Sequence, residues 1–196
     1  KANVSMVVPL NNTNTSSAAL LLNASVNDSL SRVLNVTFRL STASGSVVSA
    51  WLYASRGSGS IGQGYWNLTF DTSAVADGVY NVTLNGTDFA GNQNVVNVSF
   101  ITIESVRPNA SSLFPGNQSN LSSTITVQAG ANDSATGIAS VVFQFRNGTN
   151  QTSRESMTLN TGTIYAGVWA YSYNTAQLAD GLYNVTFNAT DFVGNS

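Results

Sequence analysis

ADGVYNVTLNGTDFAGN (residues 76–92) recurs as ADGLYNVTFNATDFVGN (residues 179–195), with 13 identities in 17 positions at an offset of 103. Working outward, Trp66 falls on Trp169 at the same offset, and Asn27-Asp28-Ser29 falls on Asn132-Asp133-Ser134 at an offset of 105. NVSMVVPLNNTN (3–14) lies without a gap on NASSLFPGNQSN (109–120) at an offset of 106. The 196-residue chain is therefore two copies of one module, differing by about three residues of loop. The expected division is 1–104 and 105–196, at the Glu-Ser-Val-Arg-Pro linker.

The quoted stretch alternates. Tyr80, Val82 and Leu84 share one side, while Asn81, Thr83, Asn85 and Thr87 share the other. Period two predicts a strand with one face on a core. Val36 and Phe38, then Trp66, Leu68 and Phe70, then Val98 and Phe100 repeat the pattern. Turn signals separate the runs, and no segment keeps a 3.6-residue period. Strands are expected at 2–9, 18–27, 33–42, 47–54, 64–71, 78–88 and 94–103. Seven strands in roughly 100 residues is the size of an immunoglobulin-type sandwich. Tyr80 and Tyr183 each follow an Asp-Gly-x turn, where a tyrosine hydroxyl can bond back across the corner between sheets.

With its Asp-Gly-x-Tyr and Thr-Asp-Phe-x-Gly-Asn elements, the segment 71–92 resembles the closing half of the Ig-like repeats of large bacterial and archaeal surface proteins. That resemblance covers both modules. It implies an all-β fold of two tandem Ig-like sandwiches, and a role as stalk, adhesin, surface-layer part or filament subunit.

Composition narrows the chemistry. Histidine and cysteine are absent, which removes disulfides, thiolate ligands and the commonest general base. Charged residues make up 8% of the chain, against roughly 25% in ordinary soluble domains. Seven basic residues and a net charge of −2 offer no electrostatic footprint for nucleic acid. Apolar runs are too short for a membrane-spanning helix. The start at Lys1, with no leader, suits a mature or excised form. Asn, Ser and Thr number 24, 27 and 20.

Those residues form 18 Asn-x-Ser/Thr acceptors for N-glycosylation: Asn3, Asn11, Asn14, Asn23, Asn27, Asn35, Asn67, Asn81, Asn85, Asn97, Asn109, Asn117, Asn120, Asn132, Asn147, Asn150, Asn184 and Asn188. Random placement gives about 6. The i, i+2 spacing matches the strand period, so the Asn and Thr of Asn81-Val82-Thr83 and Asn35-Val36-Thr37 face outward around an inward valine. Six acceptors recur at matched places, 3/109, 11/117, 14/120, 27/132, 81/184 and 85/188. The alternative is a duplicated Asn/Thr-rich surface without sugar. Covalent glycans are expected; they would replace the missing charge as a solubilising coat.

After Asp88-Phe89-Ala90-Gly91-Asn92 the first module continues into QNVVNVSFITI, its seventh strand. After Asp191-Phe192-Val193-Gly194-Asn195 comes only Ser196. The second sandwich is thus expected to lack its last strand. A neighbouring copy can supply it, as in donor-strand complementation, and head-to-tail repetition then gives an open filament. Residues 2–8 resemble 96–102 and are a candidate donor, in competition with their place as the first module's own first strand. In the alternative, the strand follows in a longer tandem array, an adhesin or stalk; a carbohydrate-binding accessory module is a third reading. Each is extracellular or on the cell surface.

No pair of the nine carboxylates stands at a catalytic spacing, and no enzymatic activity is expected. Asp28, Asp88 and Asn92 offer oxygen to calcium at a module junction, though no ligand-dense loop marks a metal site. Trp51, Tyr53, Trp169, Tyr171 and Tyr173 read as alternating core positions, or else as a sugar-stacking platform. Gly57–Gly64 reads as a flexible loop, with no helix after it to bind phosphate.

Overall fold

Among the described residues the first half of the chain carries nine strands, the longer ones built on alternating apolar residues: β1 (Asn3–Val8), β2 (Asn14–Thr15), β3 (Ala19–Asn27), β4 (Val33–Thr42), β5 (Leu52–Tyr53), β6 (Ser55–Gly59), β7 (Gln63–Asp71), β8 (Gly78–Asp88) and β9 (Gln93–Ile103). The second half carries β10 (Asn109–Phe114), β11 (Thr124–Asn132), β12 (Ile138–Asn147), β13 (Asn150–Gln151), β14 (Glu155–Ser156), β15 (Thr158–Gly162), β16 (Ala166–Asn174) and β17 (Asn184–Asp191), with one 3-10 turn at Thr175–Gln177. This computed structural model describes every residue except Ser17 and Thr149. Two compact units result, Lys1–Ser105 and Val106–Ser196.

In the first unit, the sheet β1-β3-β7-β6 faces the sheet β2-β9-β8-β4-β5. Leu20, Leu22, Ala24, Val26 and Trp66 of one sheet meet Val36, Phe38, Leu40, Val82 and Leu84 of the other in a single buried core. The second unit repeats this with β10-β11-β16-β15 against β12, which pairs with β13, β14 and β17. Val127, Ala129, Val141, Phe143, Phe145 and Trp169 lie in its core.

Four local expectations are corrected. The strand expected at 47–54 shrinks to β5, which pairs with β4, and β6, which follows it, pairs with β7, so the chain changes sheets at Ala54. The second unit changes sheets at Met157, between β14 on β12 and β15 on β16. Gly57–Gly64 is consequently not a free loop. Its first residues belong to β6, and a side chain at Gly64 would meet the Ser58 carbonyl oxygen at 2.5 Å.

Trp51 and Tyr53 are exposed rather than core. Leu52 lies opposite the buried Phe38, so its two neighbours point outward. The Arg39 guanidinium lies 4.6 Å from the centre of the Trp51 ring. Trp169 and Tyr173 are buried, and Tyr171 is half-buried.

Phe100 was expected inward but is 58% exposed, and Ile101 is buried in its stead. The register of β8 against β9 slips between Tyr80 and Val82. Phe100 takes the left-handed backbone of that bulge (φ 61°), which reverses the faces beyond it.

Each Asp-Gly-x-Tyr turn is closed by its tyrosine. The Tyr80 hydroxyl donates to the carbonyl oxygen of Ala76, and that of Tyr183 donates to Ala179 at 3.0 Å.

Candidate functional site

The two modules differ most along one edge. In the first, β8 is held on both sides, by β4 and by β9. Val98, Ile101 and Ile103 of β9 are buried against it, and Thr102 and Ile103 also pair in parallel with β2. In the second, β17 occupies the place of β8 and pairs with β12; among the described residues no strand pairs with its other edge.

Three features follow from that missing neighbour. Tyr80, Val82 and Leu84 are buried, whereas their counterparts Tyr183, Val185 and Phe187 are half-buried. β8 begins at Gly78, but β17 begins only at Asn184, because the residues matching 78–80 have no Ile101–Ile103 to bond. The segment matching β2 forms no strand. Between that segment and the start of β17 runs a groove of about 870 Å³, lined by residues 115–123, Phe145 and residues 178–185. This is the course that the end of β9 takes in the first module. Burying a side chain the size of Val or Ile contributes about 1.5–3 kcal/mol. Three such residues rival the ~5–15 kcal/mol that holds a domain together.

The turns beside this edge are built alike. Asp88 Oδ1 accepts the backbone N–H groups of Ala90 and Asn92, and its Oδ2 accepts the Asn92 side-chain amide at 2.9 Å. Asp191 repeats this with Val193 and Asn195. Asn92 thus turns its nitrogen, not its oxygen, to the carboxylate. The Asn92 side chain holds the Asp88 carboxyl well below the usual range, against the opposing effect of burial. Burial raises Asp28, but N–H donors from Ser31 and Leu30 outweigh it and leave the group lowered.

None of the 18 acceptor asparagines is buried. Asn3, Asn11, Asn14, Asn27, Asn97, Asn109, Asn117, Asn120, Asn132, Asn150 and Asn184 are exposed. Asn23, Asn35, Asn67, Asn81, Asn85, Asn147 and Asn188 are half-buried. Thr149, which completes the Asn147 triplet, lies outside the described residues. Val36 and Val82 turn inward as the spacing predicts, but Thr37, flanked by Asn85 and Tyr53 in mid-sheet, is covered. Asn23 and Asn67 stand directly opposite each other, and their side-chain oxygens are shielded from solvent. The Asn67 amide nitrogen lies over Gly57, 2.2 Å from where a β-carbon there would be. This crowding of neighbouring strand positions was not legible in the triplets themselves.

No curated protein sequence matches the chain. Among solved structures, the dimeric latent PorU of Porphyromonas gingivalis aligns over 98% of this chain and 17% of its own, at 11% identity and a TM-score of 0.28. This chain therefore spans less than a fifth of that protein. The bacterial Ig domain profile matches twice, over residues 3–84 and 108–186, once on each sandwich. The chain belongs to the bacterial Ig domain family and carries two copies of that domain in tandem.

Proposed function

We propose that the chain is a structural unit of an extracellular filament, assembled head to tail, in which the open edge of the second module receives a strand from a neighbouring copy. Bacterial Ig domains suggest a surface or extracellular structural module, and the unpaired edge of β17 carries the step to polymerisation. An open edge over a half-exposed core invites strand addition. The donor is not residues 2–8 of a folded copy, since that stretch is already β1, paired with β3. It is an extended segment not already paired within its own sandwich, with apolar residues in the pattern that Val98, Ile101 and Ile103 present to β8. N-linked glycans on the exposed acceptors would cover the remaining sheet faces. The role requires no catalysis.

A second reading has its own support. The turn at 191–195 is closed as the turn at 88–92 is, by the Asp191 N–H donating to the Asn195 carbonyl oxygen. That turn aims the chain back along β17, as it would in a non-polymerising stalk whose next residues supply the strand. Negative-stain microscopy of native material separates the two. Fibres with a repeat of two modules support the filament; isolated threads ending in one anchor contradict it.

A further inference from the structure

We infer that the second module holds a hard divalent cation, calcium in the first instance, between Asp133 and Asp191. Both side chains are buried, and their carboxylate oxygens approach within 4.8 Å. Asp133 spends one oxygen on its own turn, accepting the N–H groups of Ala135, Thr136 and Gly137. Its Oδ2 is buried and has no partner. A buried carboxylate oxygen left unpaired beside a second carboxylate is strongly unfavourable without a compensating cation.

Asp28 and Asp88 are the repeat counterparts of Asp133 and Asp191. The α-amino nitrogen of Lys1 lies 3.6 Å from Asp28 Oδ2 and 3.2 Å from Asp88 Oδ2. A carboxylate oxygen has two lone pairs, so Asp191 Oδ2 has capacity beyond its bond to Asn195. All the donors are oxygens, in a chain without His or Cys, which favours calcium over softer metals. Magnesium demands stricter geometry and keeps its waters. Asp133 follows β11 and Asp191 closes β17, so the ion would tie one sheet of the sandwich to the other where no disulfide can.

The test is calorimetric titration of the metal-stripped full chain with calcium chloride. One equivalent is expected to bind, with a Kd on the order of 10⁻⁴–10⁻³ M, as in extracellular modules. Asp133→Asn keeps the turn acceptor and removes the charge; it is expected to weaken binding at least about tenfold, a single unit of the affinity scale. The same variant in EDTA should melt no lower than the parent, which a purely structural aspartate would not allow. Asp28→Asn should leave the affinity unchanged. If Asp133→Asn does not fold, Asp191→Asn replaces it with the same expectation for binding. The inference is overturned if the parent chain binds no calcium at about ten times that concentration, if magnesium binds equally well, or if Asp28→Asn abolishes binding.

Discussion

Val82 and Val185 hold the same place in the two modules, yet Val82 is fully buried and Val185 is half exposed. The difference is β9, which covers the first and has no counterpart over the second among the described residues. Val82→Ala should therefore destabilise the first module by about 2 kcal/mol, the transfer term plus a cavity. Val185→Ala should cost less than half as much in the isolated chain. Equilibrium denaturation of the two variants measures this directly; equal losses would mean that the second core is closed.

Acid should weaken the first module through its capped turn. Because hydrogen bonds keep Asp88 lowered in the folded state, the unfolded chain binds that proton more readily. The stabilisation is complete above the ordinary carboxylate pKa of about 3.9 and is lost as the pH falls from there through the folded value. Asp28 and Asp71 are lowered as well and act in the same direction. Thermal melts between neutral pH and pH values below the ordinary carboxylate range should show a falling midpoint. The fall should be smaller for Asp88→Asn, which keeps the acceptor of the turn N–H groups and does not titrate.

Sugar should follow exposure. In native material, or after expression in a host with N-glycosylation machinery, glycopeptide mass spectrometry should find occupied sites chiefly among the eleven exposed asparagines. Asn67, whose amide nitrogen is packed over Gly57, should be bare, and Asn67→Gln should leave the glycosylated mass of the chain otherwise unchanged. An intact mass near the bare 20.5 kDa would contradict the glycan coat.

Most of the fold was legible because alternation reports burial directly. The inward sets Val36/Phe38 and Tyr80/Val82/Leu84 follow from period two, and the repeat carries the reading to the second module. What escaped had physical causes that a linear pattern does not carry. Phe100 faces outward because a bulge inserts one residue, and a bulge leaves the count of apolar residues unaltered. Trp51 and Tyr53 are outward because Leu52, the smallest of the three, sets the register against Phe38. The open edge was visible as QNVVNVSFITI without a counterpart, but the groove beside it depends on the segment matching β2, a two-residue strand too short to read. Asp28 and Asp88 were singled out as oxygen donors; their counterparts Asp133 and Asp191 gain significance only once an orphaned oxygen is seen.

The measurement closest to the central claim is to extend the chain past Ser196 with the sequence of β9, QNVVNVSFITI, and follow the unfolding of the second module by calorimetry. The added segment should fold onto β17: the midpoint of the second module rises toward that of the first, amides of residues 184–191 become protected from hydrogen exchange, and any polymers are replaced by monomers. An unchanged midpoint and unchanged exchange would show that the edge of β17 wants no strand.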